Sequence, residues 1–417
     1  MLPINFLYDK PVSDKPGHQY HYNYYDKKYY PTNGNFNNCY YDYHAPLQTV
    51  VEQNGVSTCS IVLEDILNTA TPCIYVLTYR FFADVIIFNK DKQLLTGVNQ
   101  EIIDMVNGGQ CILILNDAHE CFYYTEEFYS NLIQKLKLEG INNFKNVIVL
   151  TGNAYNKLDC KVLTVLHWQY FETATRMSNS EELETHISNT SKKRFLCLNR
   201  VNREIRFYFM YQIYKRGLLT NFLASLNTIN DINEISSFNG NVYLDKIKHE
   251  PEFKEMLTKL PWIIDTPDFV TNHWNTIDYT MPTKSNIFII TETLFLSGLN
   301  NMFLTEKIYK PILLKMPFIL LGNSGTLKFL RTMGYKTFGD LWDESYDEIE
   351  NHESRIETIL QLVQTLCELS ESEFQEKMAT AELITKHNFD LLMERRSEQV
   401  VINFIKERYE NSNDRMR

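Results

Sequence analysis

"RFLCLNRVNREIRFYFMYQIYKRG", residues 194–217, carries the pattern on which the fold turns. It opens with a short apolar run that closes on Asn199. A polar turn follows, then a helical stretch ending at Gly217, the residue type that most readily takes the left-handed turn after a helix. A strand that is apolar on both faces must be covered on both faces, and a helix supplied by the same chain does this. Strand-then-helix units of this kind build parallel sheets.

The unit recurs on both sides. Upstream, "CIYVLTY" (73–79), "DVIIF" (84–88), "QCILILND" (110–117), "NVIVLTGN" (146–153) and "KVLTVLHW" (161–168) read as strands. "NQEIIDMVNGG" (99–109) and Glu126–Leu138 read as helices between them. A polar stretch, "SNSEELETHISNTSKK" (178–193), has the composition of a linker. Downstream come "NIFIITE" (286–292), a helix opening at Thr305, "PFILLG" (317–322), the helix "TLKFLRTMG" (326–334) and a short strand "YKTF" (335–338). The expected fold is α/β, with two Rossmann-like doubly wound parallel-sheet domains in series and a helical C-terminal segment. The expected boundaries are 1–190, 191–348 and 349–417, the last segment packing back on the first domain. Ser370 and Glu373 form a capping box within it.

Composition agrees with this and narrows the function. A chain of 417 residues exceeds one ordinary core. With 44% hydrophobic and 22% charged residues it is of the soluble globular class. A formal net charge of −11 argues against a general nucleic-acid coat without excluding a local basic groove. The eight cysteines show no C-x-x-C pair, and several, such as Cys73 and Cys197, sit in apolar runs, so reduced thiols in a cytoplasm are expected. No apolar stretch approaches membrane-spanning length and the start lacks a leader pattern. The Tyr-rich segment "YHYNYYDKKYYPTNGNFNNCYYDYH" (20–44) reads as an extended arm packed by its rings, or as a carbohydrate-stacking surface.

Doubly wound domains bind ligands at the carboxyl ends of their strands, so a cleft between the two is the expected site. In "FLTEKIYKPILLKMPFILLGNSGTLKFLR" (303–331), Thr305 alone would cap the helix, and Glu306–Lys307 are surplus to that need. A helix N-terminus with a lysine beside it suits a phosphate, and a carboxylate there suits ribose hydroxyls. The other reading is a capped surface helix with a solvated Glu–Lys pair. Arg200, Arg203 and Arg206 crowd the turn and first residues of the 204–215 helix, where guanidinium forks suit a diphosphate. They serve equally well as solubilising charge.

In combination these segments are similar to something known. "ITETLFLSGLNNMFLTEKIYKPILLKMPFILLGNSGTLKFL" resembles the donor-binding motif of fucosyltransferase-like glycosyltransferases of family ten, which have the GT-B fold. "FLCLNRVNREIRFYF" resembles that family's upstream strand and helix; together the resemblance spans roughly 194–345. It implies that Arg206 binds diphosphate, Glu306 the ribose and Lys307 a phosphate, with Glu292 closing the earlier strand. Asn323 and Ser324, in the glycine-flanked loop, become contacts to donor sugar or phosphate. Pro311 departs from the pattern, since it cannot donate to the Lys307 carbonyl and bends the helix. The membrane anchor that eukaryotic members carry is not expected here.

The first domain is then expected to hold the acceptor and the base that takes its hydroxyl proton. "CILILNDAHECF" (111–122) places Asp117, His119 and Glu120 after a buried strand, as base candidates, while Asp117 could simply cap the next turn. Trp168 reads as core and His167 as a satisfied polar residue. There is no G-x-x-x-x-G-K-[ST], no H-E-x-x-H, no strand-linked G-x-G-x-x-G and no metal-binding D-x-D. The expected activity is a soluble, cytoplasmic, metal-independent inverting transfer from a GDP- or UDP-sugar to a saccharide or other hydroxyl acceptor. Two alternatives stand beside it. One is a phage-type transferase that decorates DNA bases. The other is a non-catalytic carbohydrate- or protein-binding module on a transferase scaffold.

Overall fold

The computed structural model describes residues 3–11, 13–14, 20–23, 28–31, 47–67, 69–78, 86, 93–119, 123–156, 162–178, 192–229, 231–235, 242–264, 278–293, 295 and 301–416. The chain divides into two compact units, Met1–Met177 with Arg396–Arg417, and Ser178–Arg395.

The first unit contains β1 (Ile4–Tyr8), β2 (Tyr20–Asn23), β3 (Lys28–Pro31), α1 (Leu47–Gln53), β4 (Thr58–Val62), α2 (Leu63–Ile66), β5 (Cys73–Thr78), α3 (Gln100–Gly108), β6 (Cys111–Asp117), α4 (Glu126–Leu138), β7 (Val147–Thr151), β8 (Thr164–His167) and α5 (Tyr170–Ser178). Six of these strands form one parallel sheet in the order β4-β1-β5-β6-β7-β8. The order runs outward from β1 in both directions, so the chain reverses its direction of growth between β1 and β5. β6 and β7 are buried along their whole length, as their apolar sequences require. Thr125 caps α4 by accepting from the Phe128 N–H at 3.1 Å. β2 and β3 make a separate antiparallel pair, all that is described of the Tyr-rich segment. Apart from Ile86, the expected strand over 84–88 lies outside the described residues.

The second unit contains β9 (Lys193–Asn199), α6 (Glu204–Lys215), β10 (Phe222–Leu226), α7 (Val242–Ile247), α8 (Pro251–Thr258), α9 (Met281–Lys284), β11 (Ser285–Thr291), α10 (Glu306–Leu313), β12 (Phe318–Leu321), α11 (Thr326–Thr332), α12 (His352–Glu368) and α13 (Glu371–Glu394). Its four strands are parallel in the order β10-β9-β11-β12, with the reversal between β9 and β11. The capping box starts α13 as read, Ser370 and Glu373 bonding each other's backbone N–H. Arg194 draws the α12–α13 junction to the start of β9, with Nη2 donating to Leu369 O at 2.8 Å and the guanidinium 4.6 Å from the Phe374 ring centroid.

α14 (Gln399–Met416) closes the chain. Of the helices expected over 349–417, α12 and α13 count with the second unit, while Arg396–Arg417 joins the first. Glu398, just before α14, accepts from the Arg176 guanidinium, from Thr173 Oγ1 at 3.1 Å and from Asn54 Nδ2 at 3.1 Å. Tyr409 Oη accepts from both nitrogens of Asn5, at 3.1 and 2.8 Å, and donates to Pro72 O at 2.9 Å.

Three differences from the sequence reading have physical causes. β1 begins the sheet at residue 4, well before the apolar pattern at Cys73; it is five residues long and too short to show a period. β10 occupies a stretch that read as irregular. The strand expected over 335–338 does not form, because Asn388 of α13 binds both the N–H and the C=O of Lys336 at 2.8 Å. A side-chain amide there supplies what a neighbouring strand would have supplied. The five described cysteines Cys59, Cys73, Cys111, Cys197 and Cys367 are free thiols. No helix among the described residues is long and apolar enough to cross a membrane.

Candidate functional site

The reversal between β9 and β11 is where an open parallel sheet leaves a crevice at its carboxyl edge. β9 ends at Asn199 and β11 at Thr291, and the two ends are tied by the Thr291 hydroxyl donating to Asn199 Oδ1 at 2.6 Å. Arg206, in the first turn of α6, reinforces the tie: Nη1 donates to Val201 O at 3.0 Å and Nη2 to Thr291 O at 3.2 Å. Its side chain is only 3% exposed, and its Nε has no hydrogen-bond partner among the described residues. Burial pulls its pKa down to about 10, with Arg203 adding to the effect and Glu292 and Glu306 opposing it.

Glu292 follows β11 directly. Its N–H bonds Leu321 O of β12 at 2.9 Å, and its carboxylate accepts from Thr305 Oγ1 at 2.8 Å and from the Thr293 N–H at 3.2 Å. Gly322, at the end of β12, makes room for it: a β-carbon there would lie 3.3 Å from Glu292 Cγ and from the Leu320 side chain. Thr305 serves two neighbours, because its oxygen also caps α10 by accepting from the Lys307 N–H at 3.2 Å. Lys307 Nζ then donates to Glu306 Oε1 at 2.7 Å and lies 3.4 Å from Thr305 Oγ1. The result is a continuous chain, Glu292–Thr305–Lys307–Glu306, fixed across the β11 end and the α10 start.

The two carboxylates differ. Burial raises the Glu292 pKa and Glu306 adds to this, against an opposing pull from Lys307. Burial would raise Glu306 too, but Lys307 and Lys310 outweigh it and leave its pKa lowered. α10 runs through Pro311, which is buried.

The remaining candidates are more dispersed. Arg203 is the N-cap residue of α6 and is half-buried, with its pKa lowered by desolvation. Arg200 is half-buried, and its carbonyl accepts from Asn227 Nδ2. Asn323 donates from Nδ2 to Asn301 O at 3.2 Å, and Ser324 beside it is half-buried. The N-terminus of α11 that follows them is already filled by Asp347, whose carboxylate accepts from the Leu327 and Lys328 N–H groups at 2.9 Å. In the first unit, Asp117 is 0% exposed and accepts from the Tyr124 hydroxyl. His119 is buried with its ring edge-on to Tyr170, centroids 6.4 Å apart. Glu120 lies outside the described residues. Trp168 is core, with Nε1 donating to Thr173 Oγ1 at 3.1 Å, and His167 Nε2 is 3.1 Å from Gln169 Nε2.

Sequence reasoning singled out Glu292, Glu306, Lys307 and Arg206 but passed over Asn199, Thr291 and Gly322, which hold them. Their one signal was position, since Asn199 and Thr291 end strands and Gly322 directly follows one.

The geometry defines an α/β protein with a charged, hydrogen-bonded cluster at the crossover of its second sheet. No family model matches the chain, and no curated protein does. Among solved structures it is similar to a T4 phage BGT mutant in complex with UDP-glucose, at 10% identity over 98% of this chain and 99% of that one, with a TM-score of 0.39. The resemblance to family-ten fucosyltransferases is thus carried by its motifs alone.

Proposed function

We propose that the protein is a glycosyltransferase using a nucleotide-diphosphate sugar, with the donor held at the carboxyl ends of β9 and β11. The observation that carries this reading is the Glu292–Thr305–Lys307–Glu306 chain at the sheet crossover, where a lysine and an acceptor carboxylate meet beside a helix start. Lys307 supplies the cation for the departing diphosphate. Glu306 supplies acceptor oxygens for ribose hydroxyls, and Glu292 fixes Thr305 and through it the start of α10. Arg206 has already given both terminal nitrogens to backbone carbonyls. Its part is to hold the strand ends in register and to add positive potential, with Nε left to donate.

In the reaction, an acceptor hydroxyl oxygen attacks the anomeric carbon while the bond to the diphosphate breaks. The diphosphate leaves with the bonding pair, and a single displacement of this kind inverts the anomeric centre. Stabilising the leaving group by fixed charges rather than by a metal is the role given to Lys307 and Arg206. The base is assigned to the loop after β6. Asp117 is enclosed and bonded to Tyr124, which suits it to hold that loop, and His119 and Glu120 are the groups assigned to take the proton. The acceptor is a saccharide or another hydroxyl compound.

Thermal denaturation with GDP, UDP, ADP, CMP and dTDP, in EDTA and then with divalent metal, tests the reading on wild type and Lys307→Ala. One diphosphate is expected to stabilise the wild type in EDTA, with binding weakened by about 1–3 kcal/mol in the variant. If no nucleotide shifts the transition, with or without metal, the donor site is not there.

A further inference from the structure

Arg355 lies in the first turn of α12, beside the Ser345–Glu348 turn and Phe295 of the segment after β11. It is among the largest fully buried side chains of the protein, 1% exposed. Its Nη1 donates to Ile349 O at 2.8 Å, and its guanidinium carbon is 4.5 Å from the Phe295 ring centroid. Its Nε and Nη2 have no hydrogen-bond partner among the described residues.

Among the described residues, the nearby carboxylates are engaged elsewhere. Asp347 spends both carboxylate oxygens on the N-terminus of α11. Glu353 bonds Lys246 at 2.5 Å on the surface. Burial lowers the Arg355 pKa to about 10, with Tyr243 and Asp347 partly offsetting it, so the group is cationic at neutral pH. A buried guanidinium with one whole edge unpaired is costly to a fold unless something fills that edge. Nε–H and Nη2–H lie in the guanidinium plane and point the same way along one edge, the geometry that takes two oxygens of a carboxylate or phosphate at once.

We propose that the Nε/Nη2 edge of Arg355 is an oxyanion-binding site, distinct from the Lys307 cluster and taking a phosphate or carboxylate through two oxygens. Phe295 covers one face of the guanidinium, and the Ile349 carbonyl fixes its rotation through Nη1. The ligand's oxyanion belongs either to a free phosphate or to a nucleotide sugar. The site stands whether or not the chain transfers sugar.

Inorganic phosphate is the probe. Thermal midpoints would be measured against phosphate at constant ionic strength, with chloride as the reference salt, for wild type, Lys307→Ala, Arg355→Lys and Arg355→Met. The expected result is a phosphate-specific rise in wild type that survives in Lys307→Ala. In Arg355→Lys, which keeps the charge but loses the fork, phosphate should bind about tenfold or more weakly. Crystals soaked in selenate should show anomalous density within hydrogen-bonding distance of Arg355. UDP, UDP-glucose and UDP-glucuronate, run as competitors of phosphate, separate the sources. Competition by all three places a donor phosphate there, competition by the uronate alone places a sugar carboxylate, and competition by none leaves free phosphate. The proposal is overturned if wild type shows no phosphate-specific shift, if Arg355→Lys binds as wild type does, or if the selenate peak is absent from that edge. Should Arg355→Met fail to fold, the wild-type titration and the lysine variant still decide.

Discussion

Glu292 and Glu306 both feel the charge of Lys307, which bonds Glu306, and their pKa values shift in opposite senses. The folded-state pKa of Glu292 is raised, so what it contributes to stability is present below the unfolded pKa and lost as pH rises through the folded one. Glu306 is lowered, so its contribution is present above the unfolded pKa and lost as pH falls through the folded one. Between about pH 4 and 7 the two substitutions to glutamine should therefore diverge. The midpoint difference between Glu292→Gln and wild type should move in the variant's favour as pH rises, and that of Glu306→Gln should move against it. Parallel curves would show that the two side chains share one environment. Glu306 and Lys307 were legible in the string Thr-Glu-Lys, and Glu292 at the close of "NIFIITE". The hydroxyl link from Thr305 to Glu292 was not, because it joins residues 13 apart that only the strand and helix ends bring together. Arg355 gave no signal at all, since a buried arginine in a helical stretch has the same one-letter environment as a solvated one.

At the scale of elements, caps and tight approaches carry more than helix or strand preference. The Ser370–Glu373 box supplies two backbone bonds at the start of a 24-residue helix. Ser370→Ala should destabilise the second unit by about 1 kcal/mol, read from urea midpoints at unchanged slope. A loss near zero would mean that packing alone holds the α13 start. The elements readable from sequence were the long ones with a clear apolar run, such as β6, β7 and α4. β10, "FLASL", was not, because Ala224 and Ser225 dilute its apolar signal and a neighbouring strand, β9, decides its state. The failed strand at 335–338 shows the converse. Its residues have strand composition, but no strand lies where Asn388 already bonds the backbone.

At the scale of the molecule, the first unit is assembled from both ends of the chain. Its closure depends on Glu398, whose partner Arg176 is itself 6% exposed and held down in pKa by burial. Glu398→Ala would take its bonded carboxylate away from that enclosed cation, with Glu172 the opposing charge that stays, at an expected cost of about 1–3 kcal/mol. Hydrogen exchange should show faster opening of β1, β5 and α5, with the amides of β9, β11 and β12 unchanged. Equal loss in both units would mean that they unfold as one. The division into two α/β units was legible from the polar linker and the restart at Arg194. The packing of the C-terminal segment on the first domain was expected for all of 349–417, whereas only Arg396–Arg417 counts with the first unit, and composition could not divide that segment.

This return has a consequence for how the protein is made. Translation delivers β1 long before Tyr409, which binds Asn5 of that strand. While the ribosome is still at work, the residues of Ser178–Arg395 can form the contacts within their own unit, whereas the earlier-synthesised part of the first unit must wait for Glu398 and Tyr409. The second half of the chain is therefore positioned to mature before the first, and a nascent chain released short of α14 carries a finished unit behind an unfinished one.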